Sequence, residues 1–190
     1  MAAQKIQDKQ KAILEAAIAV FAARGFWNTP TSLISKTAGV ADGTLFNYFA
    51  TKDDLISEVY LEIKREMAAQ MLEGFPSHGS VKDKMRHIWN RYIEWGLLHP
   101  EQFKVIHQIS ESFTLNESVK AQATEPFVEI ERIARESIEN GELRAYPVDY
   151  LAAIMDNLAV LTVQFIAKND DKQIDYKAIG FEILWNGAIR

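Results

Sequence analysis

The stretch that decides the fold is TPTSLISKTAGVADGTLFNYF, residues 29–49. Thr29 is a good N-cap residue, and Pro30 suits the first helical position, where a missing N–H costs nothing. Gly39 is predicted to end this helix, because glycine adopts the left-handed conformation without a Cβ penalty. The first part of the stretch therefore predicts one short helix that ends in a tight turn.

The second part of the stretch predicts another short helix, from Asp42 to Phe49. Leu45 and Phe49 lie four residues apart, so they share the face that points into the core. The outer side of this helix carries Gly43, Thr44, Asn47 and Tyr48. Two short helices joined by a tight turn form a helix-turn-helix motif at about residues 30–49, and the second helix of such a motif can enter a DNA major groove.

A wider pattern at fixed spacing surrounds the motif. It consists of Ile13, Ala16, Ala17, Phe21, Gly25, Thr31, Ile34, Ala38, Gly39, Val40, Gly43, Thr44, Leu45, Tyr48, Phe49, Lys52 and Leu55. With these residues, the stretch from Ala12 to Leu55 resembles the DNA-binding domain of the tetracycline-repressor (TetR) family of bacterial regulators. The resemblance implies a homodimeric, ligand-responsive repressor that binds a palindromic operator in double-stranded DNA.

Three positions depart from the pattern of the TetR family. Phe46 stands where the family usually has Tyr, which removes a hydroxyl that is often used on a phosphate. Ser35 replaces a usual Ala. Ala41 replaces a common Ser, which weakens the N-cap of the second helix unless Asp42 takes that role.

The DNA contacts are predicted from the outer face of the motif. Asn47 can pair with adenine and Thr44 can meet a thymine methyl group or a phosphate, with Gly43 beside them. The residues expected to bind phosphates are Thr31, Lys36, Tyr48 and Lys52. An ordinary polar surface on a small helical bundle is the alternative interpretation of the same residues.

Composition and charge set limits on the function. The chain has 190 residues, a net charge of −5 and no cysteine. Residues 1–56 carry +1, so the acidic excess lies away from the predicted DNA-binding end. No signal peptide is apparent and no stretch approaches 18 consecutive apolar residues, which predicts a cytoplasmic protein without a membrane partner.

The remainder of the chain is predicted to be helical, because its apolar residues recur at helical spacing and no strand pattern interrupts them. The fold class is therefore all-α. The predicted domains are a three-helix DNA-binding domain at residues 1–56 and a helical ligand-binding and dimerisation domain at residues 57–190. Breaks at Gly74–Gly79, Pro100, Pro126 and Pro147 separate the predicted helices of the second domain.

Large rings are concentrated after residue 74, and such stripes are more often core than pocket. In proteins that resemble TetR, however, this domain holds a small apolar or aromatic effector. The residues predicted to line the pocket are Trp89, Tyr92, Trp95, Phe103, His107, Phe127 and Met155.

The last two helices carry more apolar surface than one core needs. A helix that is apolar on both sides must be buried on both sides, so a second copy of the chain is predicted to cover one of them. The residues predicted for the dimer interface are Leu158, Leu161, Phe165, Phe181, Leu184 and Trp185.

Two other function classes compete with a regulator. A helical carrier of hydrophobic small molecules would not need the predicted phosphate-binding residues. An α-helical enzyme would need a catalytic group of residues, and no nucleophile elbow, phosphate-binding loop or paired carboxylates are recognisable. His107 and Glu111 have a spacing that a metal can use, but two ligands are too few, so neither a metal site nor a cofactor is predicted.

Overall fold

The computed structural model describes residues 2–169 and 173–188, with side chains from residue 6 onward. The helices are α1 (Ala2–Arg24), α2 (Thr31–Thr37), α3 (Asp42–Tyr48), α4 (Lys52–Leu72), α5 (Val81–Leu98), α6 (Pro100–Ser112), α7 (Glu117–Thr124), a 3-10 turn (Glu125–Phe127), α8 (Val128–Glu139), α9 (Val148–Lys168) and α10 (Tyr176–Ala188). No strand occurs in the described residues, and the predicted all-α class is confirmed.

The chain forms two compact units, which differ from the predicted division at residue 56. Unit 1 contains residues 1–65 and 99–123, and unit 2 contains residues 66–98 and 124–190. The predicted boundary at residue 56 separates two functions, whereas these units are defined by packing. The boundary therefore stays a prediction.

Unit 1 is built around α1. Ile13, Ala17 and Phe21 of this helix are fully buried, and α1 packs against both α2 and α6. The end of α1 is held by Lys104 of α6, whose Nζ donates a hydrogen bond to the carbonyl oxygen of Ala22 at 2.6 Å. Gly25, with a φ of 76°, ends the helix.

The start of α2 differs from the prediction. Thr29 is buried, and its hydroxyl donates to the carbonyl oxygen of Gly25 at 2.7 Å instead of capping α2. Pro30 occupies the N-cap position and makes no side-chain cap bond. The Thr29 hydroxyl therefore stabilises the loop between α1 and α2 by bonding back to the end of α1, and it does not cap α2. The predicted turn at Gly39 is confirmed by its φ of 68°.

Unit 2 is built from α5, α9 and α10, which pack against one another, with α8 against α9. The indole ring of Trp89 on α5 is fully buried, and its Nε1 donates to the carbonyl oxygen of Lys177 at 2.8 Å. Gly180 on α10 makes this close packing possible. A Cβ atom there would lie 2.5 Å from the Trp89 ring and 2.8 Å from the Thr162 hydroxyl oxygen.

Replacing Gly180 with alanine is therefore expected to lower the free energy of unfolding by about 1–3 kcal/mol, because overpacking outweighs the gain in helix propensity. Gly187→Ala is the matched control in the same helix, since no atom lies within 4 Å of a Cβ at that position. The control should be neutral or stabilising by up to about 1 kcal/mol. Urea denaturation of both variants measures the difference. Equal free energies of unfolding for the two variants would show that α5 and α10 leave room for a Cβ atom at position 180.

Helix α9 is long and apolar enough to cross a membrane, by length and composition alone, with a mean hydropathy of 1.6. Asp149 and Asp156 interrupt the apolar run without lowering its average much, so the sequence has no 18 consecutive apolar residues here although the mean hydropathy is high. The absence of a membrane partner stays a prediction. Core helices of soluble proteins pass the same test. Ala159, Thr162 and Val163 of α9 are buried inside unit 2, but only 17% of its apolar window is buried within the chain.

Candidate nucleic-acid interface

Helix α3 presents the predicted recognition surface. Leu45 and Phe49 are buried beneath it, as their spacing predicts. Gly43 and Asn47 are exposed on its outer side, and Thr44 and Tyr48 are half-buried. An exposed asparagine on a short helix that is anchored from below can present its amide to a base edge.

The two helices of the motif are joined by a side-chain hydrogen bond. The hydroxyl of Ser35 on α2, which is buried, donates to Oδ1 of Asp42 at the start of α3. Ala41 is the N-cap of α3 and makes no side-chain cap bond. Asp42 therefore connects α3 to α2, which fixes the orientation of the recognition helix. The departure from the family pattern at position 35 supplies the donor of this bond, and the departure at position 41 leaves the N-cap of α3 without a side-chain bond.

Two of the predicted phosphate-binding residues lie together. Thr31 and Lys52 line one open cleft of about 530 Å³ on unit 1. The cleft also has two ring side chains, those of Trp27 and Phe46, and it is completed by Asn28, Thr29 and Pro30. We call this feature the α2–α4 cleft. Lys36 is exposed elsewhere on α2, and neither it nor Tyr48 lines the cleft.

Lys52 is held in place in the α2–α4 cleft. Its Nζ donates a hydrogen bond to the carbonyl oxygen of Trp27 at 3.2 Å. Partial burial lowers the pKa of Lys52 from its ordinary value, and the neighbouring Asp53 carboxylate acts in the opposite direction. A cation that is partly desolvated and already oriented gains more from an incoming anion than a mobile surface lysine does.

Trp27 is not among the residues that the sequence predicts for DNA binding. Its side chain is 61% exposed, although tryptophan is usually highly buried. The ring packs against Phe26, with centroids 4.9 Å apart, and against Phe113, with centroids 6.1 Å apart. The only sequence signal was an aromatic residue in the short polar loop between Gly25 and α2.

The predicted pocket residues fall in both compact units. Phe103 is buried and His107 half-buried on α6 in unit 1, where their rings meet at 4.5 Å. The others belong to unit 2, where Trp89, Tyr92 and Trp95 are buried on α5 and Phe127 and Met155 are half-buried. Trp89 has a packing role, as described above.

Tyr92 has a polar partner inside unit 2. Its hydroxyl donates to Oδ1 of Asp156 on α9 at 2.5 Å, and its ring stacks on Trp95 with centroids 6.4 Å apart. This pair places a carboxylate beside two aromatic rings.

His107 and Glu111 do not form part of a larger group. Nowhere in residues 2–169 and 173–188 do three His, Asp or Glu side chains come close enough to hold a metal ion.

The predicted dimer residues need a correction. Phe181 and Leu184 are buried within the chain at 1% and 4% exposure, so they cannot also cover a second copy. The Phe181 ring lies parallel to that of Trp185, and the Arg86 guanidinium sits over it at 4.3 Å. Lys82 lies in turn over the Trp185 ring at 5.3 Å. The inward side of α10 therefore packs on α5.

The opposite side of α10 is exposed instead. Ile179 and Ile183, four residues apart, are 49% and 59% exposed. On α9, Leu161 and Phe165 are also exposed, whereas Leu158 is half-buried. Helical periodicity identified two apolar faces on α10, and the structure buries the one that carries Phe181 and Leu184 within the chain. The predicted interface residues Leu161 and Phe165 on α9 remain exposed, so a dimer interface on this side of unit 2 stays a prediction. We call Leu161, Phe165, Ile179 and Ile183 the α9–α10 patch.

Comparisons with known proteins agree with the helix-turn-helix geometry. The sequence pattern of the family "Bacterial regulatory proteins, tetR family" matches residues 13–59. The fatty acid metabolism regulator protein of Bacillus subtilis is 31% identical over 85 residues, which span 45% of this chain and 44% of that protein. The match thus spans less than half the length of that relative.

Two solved structures extend the likeness to the whole fold. A protein from Shewanella sp. PV-4, assigned to the tetR family of transcription regulators, is 27% identical, with a TM-score of 0.87 over 96% of this chain and 98% of that one. The regulator FadR of Bacillus subtilis in complex with stearoyl-CoA is 23% identical, with a TM-score of 0.68 over 93% of this chain and 98% of that one.

Proposed function

Because the chain belongs to the TetR family of bacterial regulatory proteins, we propose that it is a cytoplasmic, effector-controlled repressor that binds a palindromic operator as a homodimer. The observation that carries the proposal is α3, which exposes Asn47 above a buried Leu45 and is tied to α2 by Asp42. In a dimer, two such helices would enter successive major grooves about one helical turn apart.

The DNA contacts divide into two classes. Asn47, Thr44 and Gly43 would face base edges and supply sequence discrimination. Thr31, Lys36, Tyr48 and Lys52 would bind phosphates and fix the position of the protein on the duplex, without reading sequence. The net charge of −5 argues for modest affinity for random DNA that falls with salt.

The effector is proposed to be a small, mostly apolar molecule. The interior of unit 2 is rich in aromatic side chains, among which Tyr92 donates to the Asp156 carboxylate and stacks on Trp95. The similar FadR protein of Bacillus subtilis was solved with stearoyl-CoA. Long-chain acyl compounds are therefore the first effector class to test.

Control by such an effector would be a population shift. The molecule must bind the form that cannot bind the operator more tightly than the form that can. A coupling free energy of about 1–3 kcal/mol would weaken operator binding by roughly 5- to 150-fold.

The proposal is tested by titrating the protein–operator complex with stearoyl-CoA, followed by fluorescence anisotropy of labelled DNA. Free coenzyme A at the same concentrations is the control for the charged headgroup. Release by the acyl compound alone would support an apolar effector. The repressor proposal itself would be overturned if no genomic fragment were retained above random DNA, whether or not any acyl compound was present.

A further inference from the structure

The α2–α4 cleft has a composition that the predicted DNA contacts do not explain. A lysine and a threonine, Lys52 and Thr31, line it together with two exposed aromatic rings, those of Trp27 and Phe46. Trp27 is 61% exposed and Phe46 is 47% exposed. An isolated exposed aromatic residue needs no explanation, but two that share one cleft with a partly desolvated cation form a surface suited to a ligand.

The indole of Trp27 is held in a fixed position but has a free hydrogen-bond donor. Phe26 and Phe113 support one side of the ring, at centroid distances of 4.9 and 6.1 Å. Within the part of the chain that the structure describes, the Trp27 Nε1–H has no hydrogen-bond acceptor. The carbonyl oxygen of the same residue accepts the hydrogen bond from Lys52 Nζ. The Lys52 ammonium therefore lies against the backbone of the residue that carries the indole.

The chemistry of the cleft defines its occupant. Lys52 attracts an anion, and the Trp27 indole and the Thr31 hydroxyl can each donate a hydrogen bond to it. The two rings offer apolar surface beside those donors. A phosphate joined to a sugar combines an anion that accepts hydrogen bonds with an apolar face beside it. Every nucleotide of a DNA backbone contains this pair of groups.

The position of the cleft favours DNA over a free anion. Phe46 belongs to α3 and immediately precedes Asn47, the predicted base-reading residue. Thr31 begins α2, and Lys52 begins α4. A duplex that is read by Asn47 would therefore run past the cleft, so the occupant would be part of the same molecule.

We propose that Trp27 is a DNA-backbone ligand: its indole N–H donates to the phosphate that Lys52 and Thr31 also bind, and its ring packs with Phe46 against the attached deoxyribose. This inference rests on the proposed function, because it assumes that the protein binds an operator. Since hydrogen bonds to charged groups are stronger than neutral ones, the loss of this donor should weaken binding roughly tenfold per half-site.

The matched variants are Trp27→Phe, which removes the N–H but keeps an aromatic ring, and Lys52→Ala. Trp27→Phe should weaken binding to operator and random duplex alike, without changing the dependence of affinity on salt, because no charge is lost. Lys52→Ala should also reduce the salt slope by about one per half-site. Adding Phe46→Tyr to Trp27→Phe places a new hydroxyl on a ring of the same cleft and should recover part of the lost affinity.

Fluorescence provides a readout that does not depend on a variant. Trp27 is the exposed tryptophan, whereas Trp89 and Trp95 are buried and Trp185 is half-buried. Acrylamide should quench the wild-type protein through Trp27, and bound operator should protect it. The Trp27→Phe variant should lack the part of the acrylamide quenching that bound operator prevents in the wild type.

The outcomes separate this inference from the proposed function. If the wild-type protein binds no DNA, both are overturned. If it binds DNA but Trp27 stays as quenchable as before, and Trp27→Phe binds as well as the wild type, the backbone contact is overturned and the repressor proposal stands. If inorganic phosphate without DNA, titrated at constant ionic strength, protects Trp27 from acrylamide as the operator does, the cleft is a free-anion site and the backbone contact is overturned.

Discussion

A variant that carries Ile179→Glu and Ile183→Glu is expected to be a folded monomer that has lost operator binding. Both residues lie in the α9–α10 patch, where nothing in the described chain covers them. In a dimer, each added carboxylate would be buried without a partner, at a cost of several kcal/mol. Loss of the second half-site contact should weaken operator binding by about 10²- to 10⁴-fold. Sedimentation velocity and anisotropy on the same samples measure both effects.

The control for this experiment is Phe181→Glu on the other side of the same helix. Phe181 is buried beside Arg86 and Trp185, so its replacement should unfold unit 2 instead of dissociating a dimer. Circular dichroism distinguishes the two results. A double variant that remained dimeric and bound operator normally would show that another surface forms the interface.

The second large effect is expected at the recognition helix. Asn47→Ala should weaken binding to the selected operator by about 1–3 kcal/mol at each half-site and leave binding to random duplex almost unchanged. The physical reason is that a bidentate amide contact discriminates between bases, whereas random DNA is held mainly through its phosphates. Competition with random duplex at constant salt measures the specificity ratio.

Lys36→Ala is the matched control for Asn47→Ala. Lys36 is exposed on α2 and lies outside the α2–α4 cleft. Its loss should weaken operator and random duplex by similar factors, because phosphate contacts carry no sequence information. If Asn47→Ala also weakened both duplexes equally, Asn47 would be a backbone contact and the base-reading role would be wrong.

The features that the sequence alone can predict depend on local chemistry. The hydroxyl of Thr51 and the carboxylate of Asp54 bond each other's backbone N–H groups at the start of α4, and Ser80 and Asp83 do the same before α5. The Asn116 side chain likewise accepts a hydrogen bond from the Val119 N–H and caps α7. Such caps involve residues three positions apart, so the sequence alone contains the partners.

The features that sequence reasoning missed depend on distant partners. The side of α10 that turns inward is decided by Gly180, which admits the Trp89 ring from α5. Periodicity identifies two apolar faces but contains no information about which neighbour fits against each. Trp27 was missed for the same reason, because its support comes from Phe113, far along the chain.

The central claim, that two copies of α3 read a palindrome, is tested most directly by hydroxyl-radical footprinting on an operator selected from genomic fragments with the pure protein. We predict two protected half-sites related by a dyad, with centres about one helical turn apart or slightly more, and two chains bound per site. A single protected half-site occupied by one chain, or no fragment enriched over random DNA, would contradict the account.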